Sequence, residues 1–224
     1  MEIHHDLECV CWDFDIPICH LFAGLPAPTV AGSLRDFLWE RNLDQKEDLI
    51  DNDPHSIFRR GKNFSSTHRD AYFELEALLT QKECEAAEIS TLTPHVQDVI
   101  IALHANGIKQ AIVTNNSPKA VQIYLANKNL TKYFYGYIVG REGPYPELLK
   151  PNPFMLLKAI DLLEVSPTRT LMIGDSPTDY LASKSANTRF LGFTRTPSKC
   201  ALLHEAGAKA VVSTYKPWLQ LLYL

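Results

Sequence analysis

The stretch Glu8-Cys9-Val10-Cys11-Trp12-Asp13-Phe14-Asp15-Ile16-Pro17-Ile18-Cys19 decides how the rest of this chain is read. It begins as a short apolar run, the pattern of a parallel strand buried on both faces, and then delivers two carboxylates. Residues two apart in an extended chain point the same way, so Asp13 and Asp15 face one space together. Such a pair is costly unless a cation lies between the charges or one acid keeps its proton. Ile16 and Pro17 end the strand, because proline cannot donate to a sheet ladder. Paired acids at a strand end suggest a hard-metal site and a nucleophile, against the plainer reading of a polar strand end turning into a loop.

Further along, strands and helices alternate. Pro94 leads a helix over 94–105, closed by Asn106-Gly107. The apolar strand 108–113 ends in Thr114-Asn115-Asn116, and Ser117-Pro118 open a helix to about residue 128. A strand over 135–139 precedes a loop holding Lys150, and Asn152 caps a helix to residue 163. The strand 170–173 runs into Gly174-Asp175-Ser176-Pro177-Thr178-Asp179 and a helix to about 185. Strands over 188–193 and 210–212 bracket a helix near Leu202. This alternation predicts an α/β fold, a Rossmann-like parallel sheet with helices on both faces, which binds ligands at the carboxyl ends of its strands.

Residues 21–92 read differently. Pro26, Pro28 and Gly32 mark a loose entry, followed by a helix over 33–41. Asp51-Asn52-Asp53-Pro54 is a turn, a second amphipathic run starts near residue 66, and 81–89 forms one more short helix. No strand is expected here, so 21–92 is read as an inserted all-helical cap domain with its own small hydrophobic centre. Residues 1–20 and 93–224 form the core domain.

Composition limits the function classes. Of 224 residues, 46% are hydrophobic and 21% charged, enough to bury a core, and the net charge of −4 points to neither nucleic acid nor an anionic membrane. No apolar run reaches the roughly 18 residues of a membrane span, and residues 1–8 lack the pattern of a signal peptide. Five cysteines, an odd number, fit a reduced, cytoplasmic protein. Cys9-x-Cys11 has no second pair at zinc spacing and reads as buried packing.

The polar residues that stop the strands are Asp13 and Asp15, Thr114 with Asn115, Lys150 in its loop, and Asp175 with Asp179. Each has a bland reading: turn chemistry for Thr114-Asn115, a solvated lysine, a capping box for Ser176 and Asp179. In this order the set resembles the four motifs of the haloacid dehalogenase (HAD) superfamily, in particular its phosphoglycolate phosphatase-like members with a helical C1-type cap after the first strand. The resemblance implies a Mg²⁺-dependent phosphatase acting on a small phosphorylated metabolite through an aspartyl-phosphate. It makes Asp13 the nucleophile and Asp15 the general acid and base. The metal would be held by Asp13, the backbone carbonyl of Asp15, and Asp175. Thr114 and Asn115 would bind substrate with Lys150, which also balances charge, and Asp179 would support Lys150 or a metal-bound water. Four acids against one divalent cation and one lysine leave one excess negative charge, which a protonated Asp15 would cancel.

The chain departs from the family at Ile16, where glycine, asparagine or aspartate is usual. A β-branched residue there either bears a positive φ, at a cost of about 1–3 kcal/mol, or displaces the Asp15 loop. The expectation is weakened or narrowed catalysis. The alternative is a HAD-fold binding or regulatory protein that has lost turnover, with a phosphomutase as a further variant of the same chemistry. Substrate choice is assigned to the cap, where Arg59, Arg60, Lys62, His68 and Arg69 are the cations available for an anionic group. A monomer or homodimer is expected.

Overall fold

In the computed structural model, which describes residues 6–43, 51–63 and 67–222, the opening apolar run forms strand β1 (Cys9–Trp12) with all four side chains buried. Residues 1–5 and the expected helix start near residue 66 lie outside the described residues. Strand β1 pairs in parallel with β4 (Lys109–Val113) on one side and β6 (Thr170–Gly174) on the other. With β5 (Ile138–Val139), β7 (Arg189–Phe193) and β8 (Val211–Val212) the described sheet runs β5-β4-β1-β6-β7-β8, parallel throughout. Successive strands depart to opposite sides of β1, so its carboxyl end lies at the topological switch point where such sheets form a crevice.

The strand's alternation assigns its side chains to two layers. Val10 and Trp12 enter a core with Val99 and Leu103 of α4 (Val96–Ala105) and Val121 and Tyr124 of α5 (Pro118–Asn127). Cys9 and Cys11 point the other way, toward Met155 and Ala159 of α6 (Phe154–Leu163). The α/β reading therefore stands. Helices α7 (Pro177–Ser185), α8 (Pro197–Ala206) and α9 (Lys216–Leu222) complete the core, and no described helix is long and apolar enough to cross a membrane. Helix α9 was not expected from the sequence. Tyr215 just before it stacks on Phe193 at 4.3 Å.

Several boundaries move for local reasons. Helix α4 starts at Val96, not at 94, because His95 adopts a left-handed φ of 68°. Strand β5 keeps only two residues of the expected 135–139, since Tyr135 and Gly136 turn with positive φ. In the insert, α1 (Ala27–Glu40) begins well before residue 33: Pro26 and Pro28 occupy the helix start, where proline loses no hydrogen bond. Asp53 caps α2 (Pro54–Arg60), accepting the His55 N–H at 3.0 Å.

Three expectations for residues 21–92 are corrected. The two late helices are one, α3 (Arg69–Ile89). Its buried face runs Tyr72, Leu75, Leu79, Glu83, Ala86, Ala87, and the charge at Glu83 interrupts the apolar stripe that the sequence pattern follows. The insert also carries a strand, β3 (Thr91–Leu92), paired antiparallel with β2 (Cys19–His20) and too short to show any period. Nor, among the described residues, does the insert have a hydrophobic centre of its own. Leu34, Leu38, Phe58 and Leu75 merge with Cys11, Val113 and Met155 into one cluster.

Candidate active site

At the carboxyl end of β1, the Asp13 N–H donates to Ile173 O at 2.8 Å, fixing where its side chain emerges. The Lys150 ammonium lies 2.7 Å from Asp13 Oδ1 and 2.5 Å from Asp179 Oδ1, and donates to Val113 O at 3.0 Å. Residues 137 positions apart in sequence thus meet in a buried ion pair. Asp179 arrives through the expected capping box. Its Oδ2 accepts from Ser176 N at 3.1 Å and Ser176 Oγ at 2.7 Å, while Ser176 Oγ accepts from Asp179 N. Gly174 is required for this approach: a Cβ there would sit 2.4 Å from that of Asp179. Asp13, Asp175 and Asp179 each offer a carboxylate oxygen, all within 4.8 Å of one another.

Thr114 is fully buried, donating to Asn116 Oδ1 at 3.0 Å and accepting the Asn116 N–H at 3.1 Å. Asn115 turns its side-chain oxygen onto Lys150 N at 2.9 Å, so it positions the lysine backbone. Asp15 lines the same cavity, but its carboxylate stands outside the three-acid group and accepts the Leu21 N–H at 2.8 Å. Ile16 does adopt a positive φ, 79°. The strain, about 1–3 kcal/mol for such a residue, is held in place by hydrogen bonds on both sides of its Cα. Ile16 N donates to Cys19 O at 2.6 Å, and Thr93 Oγ1 donates to Ile16 O at 2.6 Å.

Burial dominates the electrostatics of the site. It pushes Asp13 up to about 7, with Lys150 opposing and Asp179 and Asp175 adding to the rise. Burial also raises Asp15 to about 6, against the Leu21 N–H. Asp175 rises to about 6 for the same reason, against Lys199. Burial would lower Lys150, but Asp13 and Asp179 outweigh it and hold the ammonium charged.

Lys199 was not anticipated. It lies in the first turn of α8, three residues beyond the cap, and its ammonium contacts Asp175 Oδ2 directly. The strand-end rule does not find it, because it belongs to a helix. It also corrects the charge count: two lysines and a divalent cation balance four acids without a proton on Asp15. Burial first, with the Asp13 charge adding to it, is what favours the protonated Asp15.

The strand-end residues open into a cavity of about 450 Å³, whose far wall is Phe22, Asn52, Asp53, His55 and Arg59 from the insert. Of the expected cations, Arg59 is at this wall and donates to Lys150 O at 2.7 Å. Lys62 and Arg69 instead line a separate hollow with Tyr145 and Glu147, and Arg60 and His68 are not part of the site cavity. Asn116 was missed as a site residue, and His55 opened the cap stretch 55–69 expected to face substrate without being one of its named cations. The signal for Asn116 was its place beside Thr114; His55 had only that stretch and the turn before it.

The donor set fits a hard divalent cation: three convergent carboxylates, all oxygen, two of them held above their ordinary pKa by burial. A family model described as haloacid dehalogenase-like hydrolase matches residues 33–187, and the chain belongs to that family. Among relatives, the phosphoglycolate phosphatase of Vibrio vulnificus YJ016 is 36% identical over 107 residues, 48% of this chain and 46% of that protein. The phosphoglycolate phosphatase of Salmonella paratyphi A is 37% identical over 111 residues, 49% of this chain and 43% of that protein. The match spans about half the length of these relatives. Over 97% of this chain and 98% of the other, the fold is similar to a predicted phosphoglycolate phosphatase from Haemophilus somnus 129PT, with a TM-score of 0.67 at 23% identity.

Proposed function

We propose that this chain is a Mg²⁺-dependent phosphatase that hydrolyses a small phosphorylated metabolite through an aspartyl-phosphate on Asp13. The observation that carries the reading is the buried Lys150 between Asp13 and Asp179 at the floor of a cavity that Asp15 also lines. An Asp13 oxygen attacks phosphorus, the bond to the ester oxygen breaks, and Asp15 gives that oxygen its proton. A water then loses a proton to Asp15 and attacks the same phosphorus. Inorganic phosphate leaves, and the Asp13 carboxylate is restored. Lys150 holds Asp13 in place and offsets its charge in both steps. Asp13, Asp175 and the Asp15 carbonyl would hold the Mg²⁺, with Asp179 beside them, and the ion would draw charge off the phosphoryl group.

Residues 21–92 serve as the cap that closes the cavity. Arg59 and His55 on its wall suit a second anionic group, so a phosphorylated acid such as phosphoglycolate is the first substrate to try. A panel of phosphorylated metabolites, assayed with Mg²⁺ and with chelator, tests this reading. Asp13→Asn should lower turnover by at least about 10³-fold while leaving the fold intact. Phosphate release that survives this substitution, or that ignores chelation, would exclude it.

A further inference from the structure

Glu83 lies on the buried face of α3 with no exposed surface, and its carboxylate has more partners than packing requires. Arg141, just after β5, meets it with both terminal nitrogens at 2.8 Å. Glu83 Oε2 accepts the Ser117 N–H at 2.9 Å, and Oε1 accepts from Asn116 Nδ2 at 3.0 Å. His55 Nε2 is 3.3 Å from Oε1. Arg141 reaches the same loop independently, donating from Nη1 to Asn115 O at 2.9 Å and from its backbone N to Asn116 O at 3.0 Å. Between them the two residues hold the loop 115–117 by its carbonyls, an amide N–H and a side chain, and Asn116 in turn holds the Thr114 hydroxyl.

A buried ion pair is a weak way to gain stability, since apolar side chains of similar volume often do as well or better. It does fix a geometry, and this pair joins the insert to the loop that carries Thr114. We propose that Glu83 is a positioning residue: with Arg141 as its counter-ion, it sets the 114–117 loop from the insert side, so the insert shapes the phosphate end of the site as well as covering it. The catalytic part of this inference rests on the phosphatase reading; the loop-holding part does not.

The test uses the full chain, with p-nitrophenyl phosphate as substrate and amide hydrogen exchange as a second readout. Glu83→Gln and the double variant Glu83→Met/Arg141→Met are compared with wild type; the double variant removes both charges together and so avoids stranding either. Both should exchange the amides of 115–117 at least about ten-fold faster, with β1, β4 and β6 unchanged. In both, kcat should fall by about ten- to a hundred-fold while KM moves by less than about three-fold. If the double variant does not fold, Glu83→Gln carries the same reading. Wild-type exchange at 115–117 overturns the proposal, and so does a lower melting temperature with unchanged kcat, which would make the pair merely structural. Should wild type itself release no phosphate, the phosphatase reading fails, and exchange alone still decides whether Glu83 holds the loop.

Discussion

Asp13, Asp15 and Asp175 at the strand ends, and Glu83 on α3, are all carboxylates at least half withdrawn from water, yet they respond in opposite directions. The first three are pushed up to about 7, 6 and 6, whereas Glu83 is held at about 2. Burial is the largest influence on all four and raises each of them. What differs is supply. Glu83 has a guanidinium facing it squarely, plus an amide N–H, an Asn and a His. At the strand ends, among the described residues, four acids share two ammonium groups, and Asp15 accepts from a backbone N–H, with Lys199 and His55 acting on it from farther off. A fully partnered buried acid holds structure in place. An undersupplied group of acids is an environment that takes up a cation or a proton, and that is where chemistry is to be sought.

The contrast can be broken by substitution. Glu83→Ala leaves the buried Arg141 guanidinium with the Glu76 carboxylate, 3.3 Å from its Nε, as its remaining charge partner among the described residues, and should cost about 3 kcal/mol in urea unfolding. Asp175→Asn removes one charge from an overcrowded group and should stabilise the chelated protein at pH 8 by about 1 kcal/mol. Equal losses from the two substitutions would show that the acids are not supplied so differently.

The pH dependence of stability sharpens it further. The three raised acids have folded pKa values above their unfolded ones, so their contribution is complete below about pH 4 and is lost as pH rises through about 6 to 7. The melting temperature of chelated protein should therefore fall between about pH 4 and 7, and Mg²⁺ should restore it. Glu83 is the reverse: its contribution is present above its ordinary value of 4.5 and is lost as pH falls toward about 2. Glu83→Gln should flatten that acid limb. An alkaline limb that Mg²⁺ does not move would count against the cation site.

Lys199 gives a smaller effect. Its ammonium now neutralises Asp175, so Lys199→Ala should bind Mg²⁺ about ten-fold more tightly in calorimetric titration, or about 1.4 kcal/mol. Weaker binding would instead make Lys199 a support of the metal-binding geometry. Ile16→Gly should have the smallest consequence. Relief of the positive φ is offset by the lost packing of the side chain and by the extra freedom of glycine in the unfolded chain, so stability should change by less than about 1 kcal/mol. Turnover should stay within about three-fold, because the Leu21 N–H, not the Ile16 side chain, holds the Asp15 carboxylate. A gain of several tens-fold would mean that the strained loop limits catalysis.

Much of the core was legible because its signals are local. The apolar run at Cys9–Trp12, the cap at Ser117 and the capping box at Ser176 each specify their element within a few residues. The insert was less legible. Helix α3 read as two pieces, and only the fold shows that Glu83 lies on its buried face and that Arg141, 58 positions away, makes that charge tolerable there. His55 and Lys199 carried no strand-end signal, since one sits at the start of an inserted helix and the other in the first turn of α8.

By itself the sequence determined the order of the parallel strands, the helices between them and which polar residues end the strands, because periodicity and capping act over a few residues; the short β2-β3 pair, α9 and the unity of α3 lay beyond it. Tertiary structure decided which acids are fully partnered, which are left short of positive charge, and which loop the insert holds. Those outcomes depend on burial and on distances of about 3 Å between residues that are neighbours only after folding.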